Sequence, residues 1–353
     1  MEGVWHGWGQ ILKGYRPFMS IEITSKCPLS CPGCYAYGDN HLGGDGVNLS
    51  GLRDFHGQEL IDGVMGLVDK HKPLHVSFIG GEPLVRHKEL STILPILTGR
   101  GIHTQVVTSA VTRIPIEWAT IEGLMISVSI DGLQPEHDER RKPATYEKII
   151  ENIRGHQVTV HCTVTRQQVR RTGYLEEFVR LWSEMDTTRR IWISLYTPQV
   201  GEVSEERLLP EDREAVVADL RRLHRIYPRL DIGDRTVAAY GKPPSSPDEC
   251  IFARTAECVS ADLTSRVTPC QFGGNPECAD CGCLASAALT AAGRYKIFGL
   301  LPVDTVFDSS LAIGKFFRGR REAAQPPPAV GDGSAPDPRL PGGAAVQAKS
   351  SVP

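Results

Sequence analysis

What this sequence lacks narrows it before any motif is read. No run approaches the roughly 18 uninterrupted apolar residues of a membrane span, and the opening, MEGVWHGWGQILKGYRPF, has no apolar stretch like that of a secretion signal. The chain is therefore expected in the cytoplasm. An excess of positive charge is missing too: 39 Lys and Arg face 42 Asp and Glu, a net charge of -3, so no global field draws the protein to nucleic acid. Histidine is scarce where it would matter, since none of the 11 lies within a few residues of the first three cysteines, and structural zinc wants four ligands in one neighbourhood. What is present is a soluble composition, 41% apolar over 353 residues. That is enough for one large core or two modest ones, and an α/β barrel of roughly 200–250 residues fits as a single domain.

Ten cysteines in a reducing compartment are not expected to pair as disulfides, and their distribution reads as metal ligation. Cys27, Cys31 and Cys34 stand in SKCPLSCPGCYAYG; Cys250, Cys258, Cys270, Cys278, Cys281 and Cys283 fall within 34 residues; Cys162 stands alone in VHCTV. C-x2-C pairs suit zinc, but an iron–sulfur cluster tolerates three thiolates because its fourth iron is left for another ligand. Short apolar segments alternate with helical ones. FMSIEIT, LHVSFIGG, IHTQVVTS, LMISVSIDG, QVTVHCTVT and RIWISLY read as strands, separated by helical stretches such as GYLEEFVRLWSEM, and so predict six βα units with a parallel sheet. Cys27, the run Gly80-Gly81-Glu82-Pro83 and the run from Ser129 to Gly132 each follow a strand end, where barrels keep their chemistry. Taken singly, Gly80-Gly81 and Asp131-Gly132 are ordinary turn signals, and Arg141 lies in a mixed charge run beside Arg140.

Together, C-x3-C-x2-C followed by an aromatic, GGEP after the second strand and the six units resemble the radical S-adenosylmethionine (SAM) superfamily over roughly residues 18–200. The resemblance implies a partial (β/α)6 TIM-like barrel followed by a small cysteine-rich domain. It implies a [4Fe-4S] cluster on Cys27, Cys31 and Cys34, SAM on the free iron, and a 5'-deoxyadenosyl radical that takes hydrogen from an unactivated carbon. Gly80, Gly81, Glu82 and Pro83 would bind the SAM amino group, with Glu82 acting as much by shaping the backbone as by its charge; Tyr35 would meet the adenine or simply pack. VSIDGLQPEHDERR is similar to the segment of the SPASM and twitch members in which a serine and an arginine twelve residues later hold the SAM carboxylate, here Ser129 and Arg141, with Asp131 in the same segment.

The spacing C-x7-C-x11-C resembles the first half of a SPASM domain, with Ser265 at the usual turn glycine, while the compressed CQFGGNPECADCGC departs from the second half. Six thiols allow one complete cluster or two of which one is incompletely ligated; the expectation is at least one, on Cys250, Cys258 and Cys270 with a ligand from Cys278, Cys281 or Cys283, and a zinc knuckle is the alternative. The expected organisation is an arm at 1–17, the barrel at 18–240, the iron–sulfur domain at 241–293, an amphipathic segment at 294–322 and a disordered Pro-, Gly- and Ala-rich tail at 323–353. Expected partners are a peptide or small-molecule substrate and an electron donor such as flavodoxin or ferredoxin. The apolar, aromatic and basic makeup of 294–321 adds either a helix packed on the barrel or contact with an anionic membrane surface, which would suit a lipid or isoprenoid substrate. A reading of another class is an iron–sulfur electron carrier or scaffold. Cys162, Tyr196 and the C-terminal thiols are candidates by position for quenching a substrate radical.

Overall fold

The protein is described by a computed structural model covering residues 8–43, 46–143, 145–297 and 301–324. Seven strands form one parallel sheet in the order β6-β5-β4-β3-β2-β1-β7. They are β1 (Phe18–Glu22), β2 (His75–Ile79), β3 (His103–Thr108), β4 (Leu124–Ser129), β5 (Val158–Val164), β6 (Thr188–Leu195) and β7 (Ala256–Val259). The first six are the strands read from the sequence. The seventh comes from the cysteine-rich segment expected to stand apart: it pairs with the free edge of β1, Ser20 opposite Cys258, so the sheet runs on across the boundary placed at 240/241.

Helices follow the strands as crossover connections. Residues 8–12 form α1; α2 (Gly57–His71), α3 (His87–Gly99), α4 (Gln134–Arg140), α5 (Tyr146–Asn152), α6 (Arg166–Val169) and α7 (Tyr174–Glu184) alternate with β1 to β6. The chain then continues through α8 (Pro210–Leu223), α9 (Asp234–Tyr240), α10 (Ile251–Thr255), α11 (Leu284–Gly293) and α12 (Val303–Ala324). In α7, Tyr174, Leu175, Phe178, Val179 and Trp182 recur on one stripe and are buried, the pattern a helix needs to cover a sheet. Against such stripes pack Met19, Ile21, Val76, Phe78, Val106, Ile126, Val160 and Ile193, one face of every second strand residue. Each fully buried side chain of this size contributes about 1.5–3 kcal/mol.

The alternate residues line the other face, inside the partial barrel. In register across it stand Ser20 and Ser77, Ser77 and Gln105, and Ser129 and His161. Alternation on β5 therefore sends His161 inward and Cys162 outward into the main core, where it is 2% exposed and its thiol is raised by burial. Cys162 is a packed small hydrophobe, not a group facing the barrel interior. Among the described residues no helix is long and apolar enough to cross a membrane. The tail expected to be disordered lies outside the described residues from 325 onward.

Candidate functional site

The first cysteines occupy the loop that leaves β1, and a buried carboxylate anchors its start. Thr24 Oγ1 and the Ser25 N–H donate to Asp54 Oδ1 at 2.8 and 3.1 Å, while Arg86 Nη2 donates to Asp54 Oδ2 at 2.5 Å. Arg86 belongs to the turn that follows GGEP, so the two motifs are joined through Asp54. They also touch directly. The Glu82 N–H donates to Lys26 O at 2.8 Å, and a Cβ on Gly81, whose φ is +52°, would lie 2.3 Å from that same oxygen. Gly80 (φ +77°) passes equally close to Glu22, with a hypothetical Cβ 2.3 Å from the Glu22 Cβ. Two glycines stand here because a side chain at Gly81 would push the cysteine loop away and one at Gly80 would strike the end of β1.

Glu82 itself is committed to structure. Its Oε1 accepts from the Leu84 N–H at 3.0 Å and from Thr108 Oγ1, and its Oε2 from the Ser109 N–H at 2.8 Å and from Ser109 Oγ. It is 2% exposed and caps the turn that Pro83 begins. With four donors on one carboxylate, Glu82 fixes the backbone of Gly80 and Gly81, and what this segment offers a ligand is main chain.

Around the end of β4 the structure separates two adjacent arginines that sequence alone leaves in doubtful register. Arg140 is saturated: Nε and Nη2 donate to Glu206 Oε1 and Oε2 at 2.7 and 3.0 Å, and Nη1 to Asp131. Arg141 donates only Nε, at 2.6 Å to Asp131 Oδ2, and its charge acts on Cys31. Its terminal nitrogens are thus left for an anion beside the cysteine loop. Asp131, whose Oδ1 takes the Thr163 N–H at 3.0 Å, is completely buried. Burial works to raise its pKa, but Arg141 and Arg140 outweigh it and hold the carboxyl well below the usual range. Ser129 closes β4, buried, opposite His161 on β5; burial pushes His161 down to about 4, so its imidazole is neutral near pH 7, and its Nε2 stands 2.9 Å from Ser194 Oγ.

Five of the six C-terminal thiols, Cys250, Cys270, Cys278, Cys281 and Cys283, line one cavity with Phe252, Phe272 and four prolines. Cys258, expected as a ligand beside Cys250 and Cys270, shares their small core but lies on β7, off that wall. Tyr35, expected at the adenine, packs its ring edge-on to Phe272 at 5.4 Å, two residues past Cys270. A second link runs beneath it. His41 Nε2 lies 2.7 Å from Glu22 Oε1, and Ser260 Oγ donates to Glu22 Oε2, all three buried. Sequence reasoning missed Glu22 and His41. The available signal was a glutamate within the apolar strand FMSIEIT, which alternation places inside the barrel.

All ten cysteines are free thiols. Burial pushes Cys27 up to about 11 and raises Cys31, where Arg141 pulls the other way. Ligation to a metal centre displaces the proton of such a thiol, and a cation beside the thiols with donors left open suits the carboxylate of SAM, so the loop fits a cluster that leaves one iron to that ligand. Among the described residues no three His, Cys, Asp or Glu side chains meet as on a single ion; the C-terminal thiols ring a space instead.

Comparison with known proteins agrees with this geometry. The family described as the radical SAM superfamily matches residues 21–165. A probable GTP 3',8-cyclase of Methanosarcina acetivorans is 30% identical over 151 residues, 41% of this chain and 42% of that protein. The PqqA peptide cyclase of Rhizobium meliloti is 29% identical over 125 residues, 35% of this chain and 31% of that one. The chain thus aligns with about a third to two fifths of the length of these relatives. Streptococcus suis SuiB superposes at a TM-score of 0.52 with 15% identity, covering 74% of this chain and 62% of that one, which shows a shared fold. Residues 21–165, from within the first strand to just past the fifth, are thus similar to the radical SAM superfamily, whose enzymes use a [4Fe-4S] cluster and SAM.

Proposed function

We propose that this protein cleaves SAM reductively at a cluster held by Cys27, Cys31 and Cys34, and abstracts hydrogen from an unactivated carbon of a peptide, protein or small-molecule substrate. The observation that carries this is the placing of the cysteine loop at neighbouring strand ends beside a glycine pair without room for side chains and beside Arg141, whose charge acts on Cys31. When bound, the cluster and SAM together supply a one-electron cleavage that yields the 5'-deoxyadenosyl radical. The chain does the rest. Arg141 holds the SAM carboxylate, oriented by Asp131, while Ser129 adds a hydroxyl at the same strand end and the main chain at Gly80 and Gly81 receives the amino group. Neutral His161 and Ser194 present a polar, uncharged wall to the substrate. A one-electron donor of the flavodoxin or ferredoxin kind delivers the electron, and the C-terminal thiols hold at least one auxiliary cluster. The peptide reading draws support from the likeness to PqqA peptide cyclase, and the small-molecule one from the likeness to the GTP cyclase. The test is anaerobic reconstitution with SAM and dithionite. Formation of 5'-deoxyadenosine well above a Cys31→Ala control is expected; equal traces in both would leave an iron–sulfur carrier.

A second reading concerns the place of action. On α12, Ile313, Phe316 and Phe317 are exposed at 47%, 58% and 49%, with Arg320 stacked over Phe316 at 4.7 Å and Lys315 alongside. The helix packs against α1 at Gly314, where a Cβ would lie 2.1 Å from Ile11 O. Aromatic and basic residues on an outward face suit an anionic membrane surface and, through it, a lipid substrate.

A further inference from the structure

Arg213 is a half-buried guanidinium with no carboxylate partner among the described residues. It rises from α8 and, among those residues, donates to main-chain carbonyls: Nη1 to Tyr240 O at 2.9 Å and to Cys281 O at 3.2 Å, and Nη2 to Asp280 O at 2.6 Å. Among the described residues no carboxylate lies within ion-pair distance of it; the nearby Asp280 side chain is taken by Arg207 at 2.5 Å. A half-buried cation satisfied by neutral dipoles alone is an expensive arrangement, since carbonyls replace its hydration only in part. Such a group persists where a negative charge stands next to it, and the carbonyls it grips belong to the loop that carries Cys281.

The same loop is pinned from its other side. Gly282 O accepts the Leu195 N–H at 2.9 Å, and the Gly282 N–H donates to Thr197 Oγ1 at 2.9 Å. A Cβ on Gly282 would lie 2.1 Å from Leu195 O, so the loop sits flush on the end of β6. Arg213 holds the two carbonyls before this glycine and β6 holds the glycine itself. Between them they set the directions in which the Cys281 and Cys283 thiols project into the cavity shared with Cys250, Cys270 and Cys278.

We infer that Arg213 is the positioning residue and counter-cation of the C-terminal thiol group, holding the Cys281 loop in ligating geometry and offsetting the negative charge of the thiolate-ligated cluster bound there. This rests on the proposed reading of those thiols as iron–sulfur ligands. A fixed positive charge beside a cluster favours its reduced, more negative form, so Arg213 raises the reduction potential. Its fork also orders the ligand loop, as outer partners of metal ligands do at about 10–100-fold in affinity.

The experiment uses the full chain with Cys27, Cys31 and Cys34 all replaced by alanine, so that the only remaining iron signal is C-terminal. Parent, Arg213→Gln, Arg213→Met and Arg213→Lys are reconstituted anaerobically and compared by iron and sulfide content, potentiometric titration followed by electron paramagnetic resonance, and the rate of iron loss to a chelator. Circular dichroism melting reports folding separately. In the two neutral variants the potential moves to more negative values and iron is lost at least about tenfold faster. In Arg213→Lys the potential stays near the parent's while iron is still lost faster, because the charge is kept and the fork is not. Melting changes with an unmoved potential in every variant overturn the inference. If one neutral variant fails to fold, the other carries the potential test. No C-terminal iron in the parent would instead sink the cluster reading on which the inference stands.

Discussion

Replacing Asp131 by Asn removes the one carboxylate that two arginines share. An amide keeps the bond from the Thr163 N–H, made at 3.0 Å to Oδ1, but meets Arg141 Nε, now 2.6 Å from Oδ2, without a charge to offer. Breaking a buried pair by removing one partner costs about 3–5 kcal/mol. Two features place this site at the lower end. Arg140 retains both bonds to Glu206, and the Arg141 side chain is 21% exposed, so water screens part of the orphaned charge. About 3 kcal/mol is the expected loss, a fall in melting temperature of about 4 °C for a chain of this size. The pH dependence gives a sharper signature. Asp131 has its folded pKa depressed, so its stabilisation is present above the unfolded value of about 4 and is lost as pH falls below that. His137 and His161, both pushed down to about 4 by burial, contribute stability that is present above about 6.5 and lost between there and about 4. Melting followed by circular dichroism from pH 8 to 3 therefore separates them. The variant keeps the fall between pH 6.5 and 4 and loses the further fall below 4. A variant melting within about 1 °C of the parent, or one whose acid limb below pH 4 is unchanged, would refute the charge account of this site.

Gly81→Ala brings a Cβ to 2.3 Å from Lys26 O in a backbone at φ +52°, so iron bound at the N-terminal site should fall severalfold, measured in a chain whose six C-terminal cysteines are replaced by serine. Gly66→Ala on α2, where a Cβ meets nothing within 4 Å, is the control and should retain its iron; equal losses would deny that the glycine pair supports the cysteine loop. Phe316→Ser with Phe317→Ser should abolish flotation with vesicles rich in anionic lipid, if α12 meets a membrane; unchanged partitioning of the parent and the double variant would remove that reading.

The parts of this fold that were legible in the sequence share a cause: their signal is local. FMSIEIT, LHVSFIGG and the other strands show alternation or short apolar runs over a handful of residues, and the cysteine trio and GGEP are contiguous. Strand β7 offered no such signal. Ala-Glu-Cys-Val is four residues with a buried charge in the middle, and it is a strand because β1 presents an open edge to it, 238 positions earlier in the chain from Phe18 to Ala256. Glu22 alone carried a local signal; His41 and Ser260 did not, since what joins them to it is a pair of contacts spanning 19 and 238 residues. Spacing from Ser129 pointed to Arg141, with Arg140 beside it leaving the register in doubt. What sets the two apart is Glu206, which arrives from a loop after β6 and occupies Arg140. Glu82 was expected to act as much by shaping the backbone as by its charge, and Thr108, Ser109 and Leu84 engage its carboxylate as a brace.

These long-range contacts have a common direction. The open sheet has two edges, β6 and β7, and the cysteine-rich segment reaches both ends of the gap: β7 extends β1 on one side, and Gly282 bonds to Leu195 at the end of β6 on the other. The segment between them carries Cys270, Cys278 and Cys281, with Cys258 on β7 itself and Cys283 next to Gly282, and packs Phe272 against Tyr35, the residue that follows Cys34. Its own apolar core is small, with Cys250, Phe252, Ala256, Cys258 and Val267 at its centre, too little to stabilise some 50 residues alone. Its order must therefore come from the barrel edges it bridges and from whatever its thiols bind. The same bonds tie the thiol-bearing segment to β1 on one side and to the end of β6 on the other.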